Sequence, residues 1–568
     1  MNMEVMSRDF DQSGGGKRGG NRAAFFVYIM EGLESMAFIS NSASLVIYFF
    51  SYMNYSLTKS STMLTNLLGT ATLLSLLGGF ISDTYLTRFA TTLIFASIEL
   101  MGYIVLLVQA HRSDLRPPKC LSITHQCEGA SAGEAAILYT GLYLMALGTG
   151  GVKAALPALG ADQFDPKKAK QLSTYFNWFI FSLTIGSILG VTLVVWISTD
   201  KGWDWAFAVC AIALLLSIFF ISLGNPFYRN NLPKGSPLLR FLRVFVASFR
   251  NRKLPIPENA DELHEIYQDK EDDNLHHEIL QRTDQFKFLD RAAVIRRTED
   301  DDNDGSNSGS EWRVCTVTEV EETKILIRML PIILTTIFMN TCLAQLQTFS
   351  VQQSVTMDRD FIGFEIPGPS VPAIPLLFMF ILIPLYDRVF VPIARRVTGI
   401  PTGISHLQRI GIGLVLSAIS MTVAGFVEKK RRNVAIQHDM VDSQDALPIS
   451  VFWLGYQYAI FGAADMFTLV GMLEFFYAES SAGMKALSTA ISWCSLAFGY
   501  YLSSVVVEIV NKVSGGWLAN NNLNRDKLEN FYWLLAGLSV VNFGVYVMCA
   551  SWYKYKNVEM IKKDDAST

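Results

Sequence analysis

The sequence is poor in charge and lacks the residue clusters that metal, redox and enzyme sites require. Asp, Glu, Lys and Arg make up 17% of its 568 residues, a low share for a soluble protein of this size. The net charge of −4 supplies no basic field that would favour nucleic acid. The seven cysteines are scattered, without a CxxC pair or a grouped set of histidines, which argues against a structural zinc site. No nucleophile–base set stands out either, so we expect neither an enzyme nor a bound cofactor.

Apolar residues make up 51% of the chain and are concentrated in long runs. A helix needs about 20 predominantly apolar residues to cross a bilayer, and we find runs of this kind throughout the chain. They lie near 23–50, 62–82, 88–110, 134–160, 173–198, 205–224, 322–349, 370–394, 404–427, 449–477, 485–512 and 529–553. The pattern predicts an all-α membrane protein with twelve transmembrane helices in two six-helix bundles.

A long polar stretch divides the spans six and six. We therefore expect a cytosolic N-terminal tail (1–22), a first bundle (23–224), a cytosolic linker (225–320), a second bundle (321–553) and a cytosolic C-terminal tail (554–568). Basic residues in alternate loops place both termini in the cytosol by the positive-inside rule, with an uncleaved first helix. The basic run Lys429 to Arg432 would face outside and disagrees. One loop against many does not reverse the topology.

The linker contains one amphipathic segment, Pro237 to Lys253, in which arginines alternate with apolar residues. Such a segment is suited to form a helix along the inner membrane surface. The acidic runs Glu258 to Asp273 and Glu299 to Asp304 that follow it indicate solvated and partly disordered chain. For the linker as a whole we favour a tether between the two bundles.

Two carboxylic acids lie near the middle of the first span, Glu31 and Glu34. Three residues apart, they share one helix face. A charged group at that depth costs several kcal/mol unless it is protonated, paired or in water. Two such groups repel each other, which favours a proton on one of them. The pair is therefore a candidate proton site, and the alternative is a pair of acids that hydrogen-bond inside the bundle and never titrate.

The fourth span carries Lys153 directly after two glycines and a valine. Its depth is compatible with a pair between its ammonium group and Glu31 or Glu34. A buried lysine needs such a partner or it loses its proton. The alternative is a lysine whose side chain reaches the inner headgroups.

The second bundle offers its own polar groups. Asp465 lies near the middle of the tenth span without a cation within one turn, which favours an acid facing a cavity over a hydrogen-bonded structural acid. Amides at helical spacing on the seventh span, with Leu343 among them, either line a cavity or join helices. They are Asn340, Gln345, Gln347, Gln352 and Gln353. Tyr48 and Trp493 are candidate aromatic walls of an apolar pocket.

Related patterns end the second helix of each half. Gly79-x-x-x-Asp83-x-x-x-x-Arg88 lies at the inner end of the second span, and Tyr386-Asp387-Arg388, with Arg395 and Arg396, lies at the inner end of the eighth. An acid and a base there can pair and hold one conformation of a rocking transporter. Asp83, Arg88, Asp387 and Arg388 therefore form a candidate conformational gate.

The outer loops contain two sites of modification. Cys120 and Cys127 share a loop outside the membrane, where they either form a disulfide or remain free thiols. Asn54-Tyr55-Ser56 is a glycosylation sequon close to the bilayer.

At this point the residues resemble a known family. GGFISDTYLTRF (78–89), GTGGVKAALPALGADQFD (148–165), STYFNWFIFS (173–182), FSVQQ (349–353) and LEFFYAESSAGMKALSTA (473–490) are similar to the plant nitrate/peptide transporter family. This family belongs to the proton-coupled oligopeptide transporters of the major facilitator superfamily. The resemblance implies the major facilitator fold, a substrate site between the bundles and alternating access.

The resemblance also assigns roles to single residues. It implies proton symport through an ExxE[K/R] motif, which Glu31 and Glu34 match while Ser35 replaces the base. Lys153 matches the family lysine on helix 4, and Asp465 stands where a glutamate is usual on helix 10. Leu343 replaces a histidine that nitrate transporters can use, which counts against nitrate by that route. Thr91 matches a site for a basophilic kinase, and the alternative is a helix-capping threonine.

Ser35, Leu343 and the phrases MNYS, RIGIGLVLS and GWLANNNLNRDKLENFYWL are similar to the branch that includes abscisic acid and gibberellin importers. The resulting hypothesis is a plasma-membrane, proton-coupled importer of an amphipathic organic acid. One alternative is a low-affinity nitrate or peptide transporter, and another is a sensor that binds nitrate or hormone and transports poorly. The expected partners are a small organic acid or anion, protons, the lipid bilayer and a kinase, without nucleic acid.

Overall fold

The structure, a computed structural model, describes most of the chain. The described residues are 19–55, 57–118, 129–165, 168–229, 237–255, 263–264, 280, 282–294, 312, 314–361, 364–366, 368–400, 402–443, 445–480, 485–518 and 523–555. Within them, twelve helices are long and apolar enough to cross a membrane. The twelve predicted spans are thereby confirmed. We number them span 1 to span 12.

In the first half, span 1 is Asn21–Ser51, span 2 is Leu57–Leu73 with Ser75–Thr84, span 3 is Arg88–His111 and span 4 is Ala132–Ala161. Span 5 runs from Ala169–Leu189 through a π-helical turn, Gly190–Val194, into Val195–Asp200, and span 6 is Trp203–Leu223.

In the second half, span 7 is Val317–Val355, and span 8 runs from Ala373–Leu385 through a π-helical turn, Tyr386–Phe390, into Val391–Thr398. Spans 9 to 12 are His406–Gln437, Leu454–Glu479, Lys485–Ser514 and Leu528–Trp552. Because the number of spans is even, span 1 begins and span 12 ends on the same side. We call this the terminus side and the other the opposite side.

Short strands connect the loops on the opposite side. Met357–Asp358 pairs in parallel with Leu447–Ser450, so the chain after span 7 is joined to the chain before span 10. Asp360–Phe361 and Phe364–Glu365 form a small antiparallel pair.

Several helices begin where the sequence supplies a cap. Ser131 and Glu134 form a capping box at the start of span 4, and Thr316 and Glu319 form another at the start of span 7. In each box two backbone N–H groups that lack partners in the helix are satisfied by side chains. Span 3 begins at a simpler cap, where the Thr87 hydroxyl accepts a hydrogen bond from the Ala90 amide.

Glycines bring the spans of the first half into close contact. A Cβ atom on Gly186 of span 5 would overlap the backbone of Gly32 in span 1, and one on Gly78 of span 2 would lie 2.5 Å from the Gly151 Cα in span 4. Small residues at such crossings let backbones approach and pack without lipid between them. They hold the polar side chains on spans 1 and 4 at fixed positions.

Two residues of the basic run that disagreed with the predicted topology are paired by the fold. Span 9 continues past its predicted end and carries Arg431, whose buried guanidinium lies 2.7 Å from Glu428 and 2.5 Å from the Asn524 side-chain oxygen. The neighbouring Arg432 forms an ion pair with Glu529. Charges held by protein partners do not act as free positive loop charge, so half of the run no longer counts against the topology, which stays a prediction.

The linker has its own core in the part that the structure describes. The predicted amphipathic helix is present over Pro237–Arg250 and packs on a 3-10 segment, Lys287–Ala293. The buried core residues are Val244, Ala247, Leu263, Leu289, Ala292, Ala293, Val294, Cys315 and Val320. The predicted acidic runs fall almost entirely outside the described residues.

Buried ion pairs attach this linker core to span 7. Lys324 lies 2.5 Å from Asp290 and 2.7 Å from Glu321, and Arg240 lies 3.1 Å from Glu322. Removing one partner of a buried pair costs about 3–5 kcal/mol, because the other charge is left uncompensated. The interpretation as a plain tether is therefore wrong for these residues, since they form part of the second half.

Substitution of a glycine at a helix crossing tests this packing. A Cβ atom on Gly102 in span 3 would lie 2.6 Å from the Met145 amide nitrogen of span 4, and overpacking of this kind costs about 1–3 kcal/mol. We expect Gly102→Ala to lower the thermal unfolding midpoint of the purified protein. Gly133→Ala, on span 4 with no atom within 4 Å of the new Cβ, is the control. Equal midpoints for the two variants would contradict the packing described here.

Candidate functional site

The acid pair predicted on span 1 is buried inside the molecule. Glu31 is 6% exposed and Glu34 is 2% exposed. The Ser35 hydroxyl, at the position where a base was missing from the motif, donates a hydrogen bond of 3.2 Å to Glu31. One oxygen of Glu34 is buried and has no hydrogen-bond partner in the described part of the chain. The pair therefore has one acid with a local donor and one whose charge is not balanced by a hydrogen bond.

Lys153 lies against aromatic rings. Its ammonium nitrogen is 3.7 Å from the centre of the Phe38 ring and 5.3 Å from that of Trp493. Among the described residues it forms no ion pair within 4.0 Å, although it interacts electrostatically with Glu31 and Glu34 at longer range. The direct Lys153–glutamate contact expected from the sequence is absent in this conformation. Because Trp493 is on span 11, the lysine joins the two halves.

A third acid accompanies this cluster. Glu99 on span 3 is fully buried and interacts electrostatically with Glu34, Lys153 and Glu31. No sequence motif assigns this acid a role. Its place in the cluster follows from the close crossing of spans 3 and 4, where a Cβ on Gly148 would lie 2.5 Å from the Glu99 amide nitrogen.

The second half contributes a smaller polar group. Asp465 on span 10 is half-buried and makes no hydrogen bond or ion pair to the residues that the structure describes. The Tyr500 hydroxyl of span 11 donates a 2.7 Å hydrogen bond to the exposed Gln347, and the same hydroxyl interacts electrostatically with Asp465. Tyr500 was missed from sequence because nothing distinguished it from other aromatic residues in the spans.

Other predicted residues of span 7 make contacts within the second half. Asn340 donates to Ser495 at 2.9 Å and Gln345 donates to Ser503 at 2.7 Å, so these amides join span 7 to span 11. Leu343 packs against the core of the second half.

Tyr48 lies in an aromatic group of the first half. Its ring centre is 5.0 Å from that of Trp203 and 5.5 Å from those of Tyr52 and Phe207. Its ring contacts are therefore those of a core residue, unlike those of Trp493, and we no longer assign it to the substrate site.

The first part of the predicted gate is present and extends across the halves. Arg88 lies 3.5 Å from Asp83 and also forms an ion pair with Asp162 at the end of span 4. The Tyr477 hydroxyl of span 10 donates a 2.7 Å hydrogen bond to Asp162. Asp83 accepts a 2.7 Å hydrogen bond from the Leu487 amide at the start of span 11. Asp162 was not predicted as part of the gate, because it lies within the long matching stretch 148–165 and nothing in the sequence distinguishes it from its neighbours there.

The second part of the gate differs from the prediction. Asp387 accepts a 2.8 Å hydrogen bond from Asn177 of the first half, and Arg388 lies over the Trp178 ring at 5.4 Å. The Asn177 oxygen in turn accepts a hydrogen bond from Arg409, which is 3.2 Å from Glu474. Arg409 thus occupies the place in the second half that Arg88 has in the first. Adjacent residues in the helical turn point in different directions, so Asp387 and Arg388 contact different partners.

Both parts of the gate lie at the terminus side. Hydrogen bonds there connect spans 2 and 5 and the end of span 4 in the first half with spans 8 to 11 of the second, and Asp162 also lies 3.9 Å from Lys485 of span 11. This conformation is therefore closed at the terminus side. A path from Lys153 to that side would require these cross-half contacts to separate.

The predicted modification sites have different outcomes. Thr91 is fully buried and its hydroxyl has no partner among the described residues. The capping alternative for it is wrong, because Thr87 is the cap. The Asn54 side chain donates to the Pro118 carbonyl at 3.1 Å. Cys120 and Cys127 lie outside the described residues.

Comparison with known proteins identifies the family of this chain. The POT family profile matches residues 89–523. The chain belongs to the POT family. The Arabidopsis thaliana protein NRT1/PTR FAMILY 4.5 is 45% identical over 95% of this chain and 94% of its own length. NRT1/PTR FAMILY 4.6, from the same organism, is 43% identical over 95% of both chains. The protein is accordingly a plant-type nitrate/peptide family transporter and not an enzyme.

Solved POT structures share the fold. The in meso crystal structure of the POT family transporter PepTSo matches with a TM-score of 0.61 at 16% identity, over 94% of this chain and 98% of that one. An auto-inhibited POT family peptide transporter matches with a TM-score of 0.59 at 15% identity, over 95% and 99%. The predicted major facilitator fold, with two six-helix bundles, is confirmed.

Removal of a cross-half contact tests the closed gate of this POT transporter. Asn177→Ala deletes hydrogen bonds to Asp387 and Arg409, each worth about 1.5–3 kcal/mol because the partner is charged. Since about 1.4 kcal/mol is a factor of ten, we expect the closed population to fall at least tenfold relative to the open one. Distances between spin labels at Lys170 and Arg396, exposed on the two halves, would report the change.

The control for that experiment is another asparagine-to-alanine substitution, at a position whose hydrogen bonds stay within one half. Asn41→Ala removes buried hydrogen bonds to Ala37 and Tyr103, which lie within the first half. We expect it to leave the label distances unchanged. If Asn177→Ala and Asn41→Ala gave the same distance distribution, the gate role of Asn177 would be wrong.

Proposed function

We propose that this POT transporter is a proton-coupled importer of an amphipathic organic acid, with abscisic acid or a gibberellin as the first candidates. It acts at the plasma membrane, with the terminus side in the cytosol. The observation that carries the proposal is the position of Lys153. Its ammonium nitrogen lies 3.7 Å from the centre of the Phe38 ring and 5.3 Å from that of Trp493, and no carboxylate of the described residues lies within 4.0 Å of it.

This arrangement suits a weak acid with an apolar body. A ligand carboxylate forms a strong charge-assisted contact with an ammonium group, while the apolar part of the ligand packs on Trp493. Binding sites of this kind combine apolar walls with a few placed polar groups. A cation that already had a glutamate partner would first have to give it up.

Glu31 and Glu34 supply the proton step. When they are ionised they attract Lys153 away from the ligand position, and when a proton reaches them the lysine is available to the ligand carboxylate. Repulsion between the two acids favours the uptake of that proton. Ligand and proton thus bind together because each removes an uncompensated charge beside Lys153.

The second half completes the binding space. Asp465 is half-buried without a partner in the described part of the chain, and Tyr500 and Gln347 lie beside it. These groups suit the hydroxyl or keto groups at the other end of a small organic acid. Closure at the terminus side, through Asp162, Tyr477 and Asn177, keeps the site from the cytosol until ligand and proton are bound.

A second candidate function is uptake of nitrate or peptides. It is favoured by the names of the plant relatives and by a solved POT transporter in complex with a thioalcohol conjugated peptide. A sensor that binds and barely transports is the third candidate, motivated by Ser35, which supplies a hydrogen bond to Glu31 where a base would supply a charge. Phosphorylation at Thr91 by a kinase would require this buried residue to become accessible.

A substrate panel separates these candidates. Cells that express the protein would be given labelled abscisic acid, gibberellins, nitrate and dipeptides at acidic and neutral external pH. We expect accumulation of a hormone above that in non-expressing cells, and more of it at acidic pH. Accumulation of nitrate or dipeptide alone would refute the hormone, and binding without accumulation would favour the sensor.

The proton role makes a specific prediction for Glu34. Glu34→Gln imitates the protonated acid, so we expect uptake of the accumulated compound to lose most of its difference between acidic and neutral pH. Glu508→Gln, an exposed acid on span 11, should retain the wild-type difference. A Glu34→Gln protein that reached the surface normally and showed the wild-type pH profile would exclude the role proposed for this acid.

The aromatic wall makes another prediction. A cation–π contact is worth about 0.5–2 kcal/mol, so Trp493→Leu should raise the KM for the accumulated compound about two- to thirtyfold, and Trp493→Phe should raise it less. Trp196→Leu, at a site 43% exposed on the surface of span 5, is the matched control. An unchanged KM in Trp493→Leu would place the ligand elsewhere.

A further inference from the structure

We propose that Glu99 is a third proton-binding carboxyl of the cluster around Lys153, so that the site holds two protons while the lysine is charged. The inference rests on the proposed proton coupling and deepens it. Glu99 is on span 3 and belongs neither to the acid motif on span 1 nor to the lysine motif on span 4.

The environment of Glu99 does not accommodate a free carboxylate. Its side chain is fully buried, and neither carboxylate oxygen has a hydrogen-bond partner among the described residues. The Thr149 hydroxyl on span 4 interacts with the Glu99 carboxyl group, but the contact lacks the geometry of an ordinary hydrogen bond. An ionised carboxylate in such a place costs several kcal/mol, whereas a protonated one is neutral and carries its own donor.

The groups around Glu99 give the charge balance. Glu31 and Glu34 face it from span 1, Lys153 from span 4, the Cys210 thiol from span 6, and Tyr103 from its own helix. The thiol and the phenol are neutral at ordinary pH. Three carboxylates against one ammonium group leave two negative charges in excess, and Ser35 adds no second cation. Two protons restore neutrality.

The packing prevents Glu99 from leaving the cluster. A Cβ on Gly148 would lie 2.5 Å from the Glu99 amide nitrogen, and one on Gly102, three residues along span 3, would lie 2.6 Å from the Met145 nitrogen. Spans 3 and 4 therefore cross in direct backbone contact at this acid and one turn beyond it. A side chain anchored so closely cannot reach water by a change of rotamer. Since Lys153 is shared with Glu31 and Glu34, a proton is the way to neutralise the remaining charge.

Infrared titration of the carboxyl band tests the proposal without a substrate. The full-length protein would be reconstituted in lipid nanodiscs, and the absorbance of protonated carboxyl groups would be followed between acidic and alkaline pH. We expect Glu99→Gln to remove about half of the band that persists at neutral pH in the wild type. Glu508→Gln, which removes an exposed acid, should leave that band intact. A band of wild-type size in Glu99→Gln would overturn the proposal, as would its absence in the wild type.

A pH profile of uptake separates coupling from a structural role. Because glutamine imitates protonated Glu99, uptake by Glu99→Gln should equal that of wild type at acidic and neutral pH and differ at alkaline pH, where the wild-type acid loses its proton. An equal loss at all three values would indicate a structural role and contradict the proposal. If Glu99→Gln does not fold, Glu99→Asp replaces it, with a shift of the same infrared band expected and an unshifted band as the contrary result. A wild type that imports no hormone but shows the infrared change would refute the substrate and leave the role of Glu99 intact.

Discussion

The cost of placing ions between two helix bundles is the constraint on which the rest of this structure depends. Lys153 lies beside three acids in a region where water does not solvate them freely, and its nearest contacts are rings. Each charge there must be balanced by a proton, by another ion or by a ligand. Proton and ligand occupancy are therefore linked through electrostatics, which is the property that a coupled transporter needs.

The candidate gate at the terminus side also contains buried charges, and these are balanced by ion pairs and hydrogen bonds. Apolar cores and glycine crossings hold each half together, and one apolar cluster also extends from the first half to the second. At the terminus side this apolar contact is joined by hydrogen bonds and by an ion pair between Lys485 and Asp162. Separation of the halves would therefore exchange both polar and apolar contacts. The corresponding positions of Arg88 and Arg409 give both halves the same kind of contact, as expected for structural repeats that rock against each other.

The linker belongs with one of the moving bodies. Its described residues share a core with the start of span 7, and Lys324 holds Asp290 in a buried pair. Movement of the second half therefore carries these residues along with it. The Pro237–Arg250 helix also contacts the end of span 2 in the first half. A change in the angle between the halves would therefore alter the contacts of the linker core.

Sequence alone determined the number of spans, their approximate limits, the buried acids on span 1, the lysine on span 4 and the family. Each of these depends on local composition or on a contiguous motif, because a bilayer imposes its thickness on every apolar run and a helix places neighbouring turns on one face. The outward-facing basic run was the visible exception, and only the pairing of Arg431 with Glu428 and Asn524 explained part of it.

The tertiary structure decided which side chains meet. It placed Lys153 against Trp493 and away from a direct glutamate contact, and it brought Glu99 and Tyr500 close to predicted polar residues. It paired Arg409 with Glu474 at the terminus side, surrounded Tyr48 with aromatic residues of the first half and attached part of the linker to span 7. The sequence could not decide these points because contacts between helices depend on how each is rotated and how closely glycines allow it to approach. Those quantities follow from the packing of all twelve spans together, whereas the ability to cross a membrane is a property of each span by itself.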